Sequence, residues 1–153
     1  MNVALHLAKQ GANVAFVTRL GVDESGTELV EFLSSNNLYS DLVQRDEELP
    51  TCEVTVKLDQ NQQATYTIPE QVSWDNMQTE SLLTETAEEA TAILFGSLAC
   101  RTETTRNTLL NLLDETNALK VFDVNLREPH YSMSTIETLA ARADVVKMNE
   151  EEA

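Results

Sequence analysis

Glycine is scarce in this chain. Gly11, Gly21, Gly26 and Gly96 are the whole complement, and none of them builds the G-x-G-x-x-G turn that lays a dinucleotide pyrophosphate on a helix N-terminus. A Rossmann-type dehydrogenase domain therefore fits poorly. Cations are few as well: Lys and Arg number 10 against 26 Asp and Glu, a formal net charge of -16. Binding to nucleic acid needs clustered Lys and Arg that displace counterions, so DNA and RNA are excluded as partners. Cys52 and Cys100 lie too far apart for a metal knuckle and are joined only by His6 and His130, which argues against zinc and for a reducing, cytoplasmic setting. Long apolar runs are absent too. Val14–Val17 and Ala92–Phe95 fall far short of the roughly 20 residues of a spanning helix, so no membrane partner is expected. Residues 1–11 lack the charge order and cleavage pattern of a signal peptide.

What is present is enough apolar matter for a core: 153 residues at 42% hydrophobic suit about one domain. Val3, Ala4, Leu7 and Ala8 recur at helical spacing over residues 2–10, and Gly11 supplies a stop. A short strand is expected at Val14–Thr18. Asp23-Glu24-Ser25 caps a following helix with the stripe Leu29, Val30, Phe32 and Leu33.

Between Gln44 and Pro69 the period changes to two. Val54, Val56 and Leu58 alternate with polar residues, as do Tyr66 and Ile68, and Gln60–Gln63 reads as the hairpin turn between them. Helices are then predicted at Leu82–Ala90, Thr104–Thr116 and Thr135–Arg142, with Leu109, Leu110, Leu112 and Leu113 inward, and strands at Ala92–Phe95, Val121–Asp123 and Val145–Lys147. Strands alternating with helices imply an α/β fold with a parallel sheet whose ligands lie beyond the strand C-terminal ends. Asp123 and Asn149 fall at such ends. The acidic runs Asp46–Glu48 and Glu85–Glu89 read as solvated faces, whereas Asn149-Glu150-Glu151-Glu152 directly follows an apolar strand.

Three groups of residues carry a resemblance. Asn2, Ala4, Gly11 and Gly21 match, from its Asn onward, an N-terminal sugar-contacting pattern. Asp123-Val124-Asn125-Leu126-Arg127 matches an Asp-x-Asn-x-Arg segment at a strand end, and Asn149 to Glu152 an Asn-x-x-Glu motif. In these features the chain resembles the PfkB-type, or ribokinase-like, carbohydrate kinases, and fructokinases above all. 2-Keto-3-deoxygluconate kinases and ribokinase are the alternatives.

The resemblance implies a ribokinase-like parallel sheet flanked by helices, with a β-hairpin lid at 44–69 inserted in an α/β body of 1–43 and 70–153. It covers roughly the first half of a typical member, without its first strand and before the nucleotide-binding half. It implies ATP-dependent phosphorylation of a sugar hydroxyl, with Mg²⁺ required.

Asn2, Asn125 and Arg127 would contact the sugar, an amide presenting donors and an acceptor to neighbouring hydroxyls and a guanidinium presenting a fixed fork of donors. Asn149 and Glu152 would serve magnesium and phosphate, since hard carboxylate oxygen suits a cation that keeps most of its water. Asp123 is expected to hold its loop through backbone N–H groups. Glu150 and Glu151 read as an acidic first helical turn, favoured by the helix dipole.

The family's later Gly-Ala-Gly-Asp segment, with its anion hole and catalytic base, has no counterpart up to Ala153, so little or no kinase activity is expected of these residues alone. The other reading is a non-catalytic sugar-binding or dimerisation module, with the lid covering a cleft or pairing two subunits.

Overall fold

In the computed structural model, which describes residues 1–39, 41–58 and 64–153, helix α1 (Asn2–Lys9) is followed by Gly11 at φ +87°. This left-handed geometry costs glycine least. The chain divides into two compact units, Met1–Trp74 and Asp75–Ala153. No helix among the described residues is long and apolar enough to cross a membrane.

In the first unit the expected strand at Val14–Thr18 is displaced. Strand β1 runs Thr18–Gly21 and pairs in parallel with β2 (Val43–Asp46), in the register Thr18↔Val43 to Gly21↔Asp46. Val14 and Phe16 pack instead against the cluster of Leu20, Leu33, Leu38 and Val43. An apolar run becomes a strand only where a partner backbone meets it, and the partner here begins at Val43.

Helix α2 (Glu24–Ser35) is capped as expected, Asp23 accepting from the Gly26 N–H at 2.7 Å. Its inward stripe is Leu29, Val30 and Leu33, while Phe32 is exposed. Asp46, expected on a solvated face, is buried: it accepts from Arg19 Nε at 2.6 Å and from the Glu48 and Leu49 amides.

Strand β2 takes the first residues of the stretch 44–69. Among the described residues antiparallel pairing is confined to β3 (Thr55–Leu58) and β4 (Ala64–Thr67), with Val56 opposite Tyr66. The predicted turn residues Gln60–Gln63 lie outside the described residues. Val54, Val56 and Tyr66 are exposed. The base of this hairpin is pinned: the Ser73 N–H donates to the Pro50 carbonyl at 2.8 Å, and its hydroxyl to the Arg19 carbonyl at 2.8 Å.

In the second unit, β5 (Ala92–Gly96), β6 (Leu119–Asp123) and β7 (Val145–Lys147) form a parallel sheet in that order. Helices α3 (Ser81–Glu89), α4 (Glu103–Glu115) and α5 (Met133–Ala140) intervene, within two residues of their predicted limits.

Phe95 and Phe122 face each other across the β5–β6 register and stack at 5.3 Å. They form the core with Cys100, Leu113, Val124 and Leu139. Leu112 and Leu113 are buried, and Leu109 and Leu110 pack at the edge of the core. Near the start of this unit Asp75 receives a bidentate pair from Arg101, Nε at 2.7 Å and Nη2 at 2.6 Å.

Candidate functional site at the ends of β6 and β7

The loop that leaves β6 is fixed by its own backbone. The Val124 N–H donates to the Lys147 carbonyl at 2.9 Å, and the buried Ser97 hydroxyl donates to the Val124 carbonyl at 2.6 Å. Asn125 then takes φ +44°, a left-handed conformation that Asn tolerates better than most residues. Leu126 packs against the core, so its neighbours Asn125 and Arg127 fall on an alternate pair of positions after the strand end.

The turn after β7 is organised by a reciprocal cap. Asn149 Oδ1 accepts from the Glu151 and Glu152 amides, both at 2.9 Å. Glu152 Oε2 accepts from the Asn149 N–H at 3.0 Å. This is the hydrogen-bond pattern of a capping box. Glu152 Oε1 reaches across to the Leu126 N–H at 2.9 Å and ties the two loops together.

Asn125, Leu126, Arg127, Glu128, Tyr131, Asn149, Glu151 and Glu152 line one open cavity of about 290 Å³. Four predicted residues, Asn125, Arg127, Asn149 and Glu152, are thus brought together. Asn2 opens α1 in the first unit and is exposed.

The carboxyl of Glu152 is held below its ordinary value, first by the Asn149 N–H and then by that of Leu126, with the charges of Lys147 and Arg127 adding to the effect. Lys147 donates to Asp123 at 2.9 Å, and that bond, followed by the attraction of the carboxylate, raises the pKa of the lysine. Asp123 therefore holds the strand ends through a lysine as its side-chain partner, where backbone amides were expected. The lysine one strand over, in register with Asp123, carried no spacing signal that would have found it.

Glu151, read in the sequence as part of an acidic first helical turn, lines the cavity, and residues 150–152 form a turn. Tyr131 and Glu128 were not singled out either. Residues that follow a motif round a loop have no periodicity to mark them.

Among the described residues no group of three or more His, Cys, Asp and Glu side chains converges to hold a metal. The Asn149 side-chain oxygen and both Glu152 oxygens already accept backbone N–H groups. A cage made wholly of protein ligands does not fit. A hydrated Mg²⁺ would be compatible, with Asn149 and Glu152 the residues that would hold its water shell.

A parallel sheet with paired polar loops at its strand C-terminal ends defines an α/β protein that takes its ligands at that edge. The chain belongs to the pfkB family of carbohydrate kinases, whose model matches residues 1–153.

An uncharacterised sugar kinase of Pyrococcus horikoshii is 28% identical, the match covering 99% of this chain and 51% of that protein. Its crystal structure superposes with a TM-score of 0.88, and it has also been crystallised with ATP. Fructokinase-1 of Oryza sativa is 29% identical over 99% of this chain and 50% of its own length. A fructokinase structure from Xylella fastidiosa, 21% identical over 99% of this chain and 49% of that one, shares the fold at a TM-score of 0.88. The chain spans about half the length of the curated relatives it matches.

Proposed function

We propose that these residues form the sugar-binding part of a carbohydrate kinase that transfers the γ-phosphoryl group of ATP to a sugar hydroxyl. The observation that carries this reading is the convergence of Asn125, Arg127, Asn149 and Glu152 on one cavity beyond β6 and β7. Polar groups at that edge of a parallel sheet are where α/β proteins take ligands. Family membership supports a carbohydrate substrate, and the fructokinase relative of Oryza sativa favours fructose. The ATP complex of the Pyrococcus protein supports ATP as co-substrate.

In this reading Asn125 and Asn2 hydrogen-bond sugar hydroxyls through amides that both donate and accept. Arg127, exposed at the cavity wall, offers its fork of donors to a hydroxyl or to phosphate oxygen. Asn149 and Glu152 border the phosphate side. Mg²⁺, when bound through its water shell, would spread the charge of the phosphates. The cation would be steered by Glu152, which stays ionised to lower pH than an ordinary glutamate.

The base that takes the proton of the sugar hydroxyl is assigned to none of these residues, so this chain alone is expected to bind sugar and to phosphorylate little or none of it. Isothermal calorimetry of the purified chain with fructose, ribose and ATP tests the binding half. Binding of fructose supports the assignment, and no sugar binding overturns it. ATP-dependent formation of sugar phosphate by the chain would overturn the expectation of inactivity.

A second reading, a sugar-binding or dimerisation module without catalysis, is favoured by the exposed Val54, Val56 and Tyr66 on the β3–β4 hairpin. A two-stranded unit is marginal alone and gains by covering an apolar face. We assign that hairpin as a lid whose exposed face pairs with a second copy. Sedimentation of the chain beside Val56→Lys tests it, a dimer that the substitution dissociates being the expected result. The protein is assigned to the cytoplasm on its family and on its cysteines, Cys52 and Cys100, which are both free.

A further inference from the structure

We infer that Glu152 is a positioning residue for the sugar side of the cavity. Its carboxylate bridges the turn after β7 and the loop after β6, and so fixes the orientation of Asn125 and Arg127. The inference takes from the proposed function the reading that those two residues meet the sugar.

Other restraints lie along the same loop: the Ser97 hydroxyl is 3.5 Å from the Asn125 carbonyl, Leu126 packs against the core, and the His130 N–H donates to the Arg127 carbonyl at 2.7 Å. Upstream of Asn125, Ser97 and the Lys147 carbonyl hold Val124. Asn125 itself sits at φ +44°, a left-handed conformation that Asn tolerates better than most residues and that its surroundings must still hold in place. Immediately downstream, the side-chain group that grips the backbone is Glu152, through the Leu126 N–H at 2.9 Å.

The reach of that carboxylate is set from the other side. Asn149 Oδ1 binds the Glu151 and Glu152 amides, and Glu152 Oε2 binds the Asn149 N–H at 3.0 Å. One side chain therefore joins two loops that share a cavity wall. A carboxylate suits the task because both its oxygens accept. A carboxamide accepts with one and turns an NH₂ toward the other amide, where donor faces donor.

A role confined to Mg²⁺ would be felt only when Mg²⁺ is present, whereas a positioning role acts without it. The test is amide hydrogen exchange on the full chain in Mg²⁺-free buffer with a chelator, comparing the parent with Glu152→Gln. Fructose affinity is measured by calorimetry in the same buffer. The expected result is that the Leu126 or the Asn149 amide exchanges about tenfold faster in the variant, that Phe122 in the core keeps its protection, and that fructose binding weakens without Mg²⁺.

Unchanged protection of both amides, or a fructose defect that appears only when Mg²⁺ is added, overturns the inference. So does a Leu126 amide in the parent that exchanges as fast as a solvent-exposed loop amide, a result that needs no variant to fold. If the parent binds no sugar at all, the proposed function fails, and the exchange measurement still decides whether Glu152 sets the loop.

Discussion

The carboxylate of Asp23 accepts hydrogen bonds from both the amide and the hydroxyl of Thr51, each at 2.7 Å. The same hydroxyl accepts from the Gly21 N–H at 2.9 Å, and Asp23 also caps α2 through Gly26. One carboxylate thus joins the end of β1, the start of α2 and the base of the hairpin. These bonds to Thr51 hold the carboxyl of Asp23 below its ordinary value of 3.8.

Because the pKa is lower folded than unfolded, the stabilisation is fully present above the unfolded value and is lost as pH falls through the folded one. Thermal unfolding followed by circular dichroism should show the melting temperature dropping as pH falls from about 5 toward 2. Asp23→Asn should flatten that acid limb and lower stability near neutrality by about 1 kcal/mol, at the low end for a charged acceptor because the carboxylate is only partly shielded from water. An acid limb identical in the two proteins would refute the assignment.

Gly26 is required for space. A Cβ there would lie 2.2 Å from the Gly21 carbonyl and 2.8 Å from the Thr51 hydroxyl, and a backbone oxygen does not yield as a side-chain tip does. Gly26→Ala should cost about 1–3 kcal/mol or more by denaturant titration. Gly11→Ala is a useful contrast, since its site is open and only its φ of +87° is unfavourable. The expected cost there is about 1 kcal/mol. Equal costs at the two positions would contradict the packing argument.

Helices and the sheet of the second unit were legible because their signals are local. The leucines of α4 recur at helical spacing, and Ala92–Phe95 and Val145–Lys147 are apolar runs with flanking turns. Strand β2 was missed, since Val43–Asp46 has a buried Gln44 and Asp46, and it is partners distant in sequence, β1 and Arg19 among them, that make such polar residues acceptable there. The start of β1 was misplaced because a strand end is decided by its partner.

In the site, the spacing of Asn149 and Glu152 was visible, and so was their adjacency to a strand end. What they hold was not. The Leu126 N–H is a backbone group, and no side-chain letter announces that it needs an acceptor from 26 positions away. The tie between Asp23 and Thr51 was hidden as well, since nothing local in the sequence joins two positions 28 apart.

Asp75 and Arg101 are almost wholly buried, at 5% and 6% side-chain exposure. Arg101 Nη1 also lies 3.4 Å from His130 Nδ1, in the segment next to the cavity-lining Tyr131. Removing one partner of a buried pair strips the other charge of its compensation. Asp75→Ala should therefore destabilise the chain by about 3–5 kcal/mol in urea unfolding. Asp75→Asn should cost less, since one accepting oxygen remains. Should Asp75→Ala unfold at the urea midpoint of the parent, the pair would contribute nothing.

Arg127 separates binding from folding. Its side chain is exposed, and its charge helps to keep the Glu152 carboxyl ionised. Arg127→Ala should therefore leave thermal stability within about 0.5 kcal/mol of the parent, as for a surface site away from packing. If its guanidinium donates to a sugar hydroxyl, fructose affinity should fall by about 10- to 100-fold, the loss expected for hydrogen bonds from a charged donor.

Arg127→Lys discriminates further. An ammonium keeps the charge but lacks the planar fork, so it should restore the electrostatic effect on Glu152 and recover only part of the affinity. Calorimetry with fructose on the three proteins, beside their melting curves, reads both quantities at once. Full affinity in Arg127→Ala would remove this residue from the sugar site and leave it as a neighbour that tunes the Glu152 carboxylate.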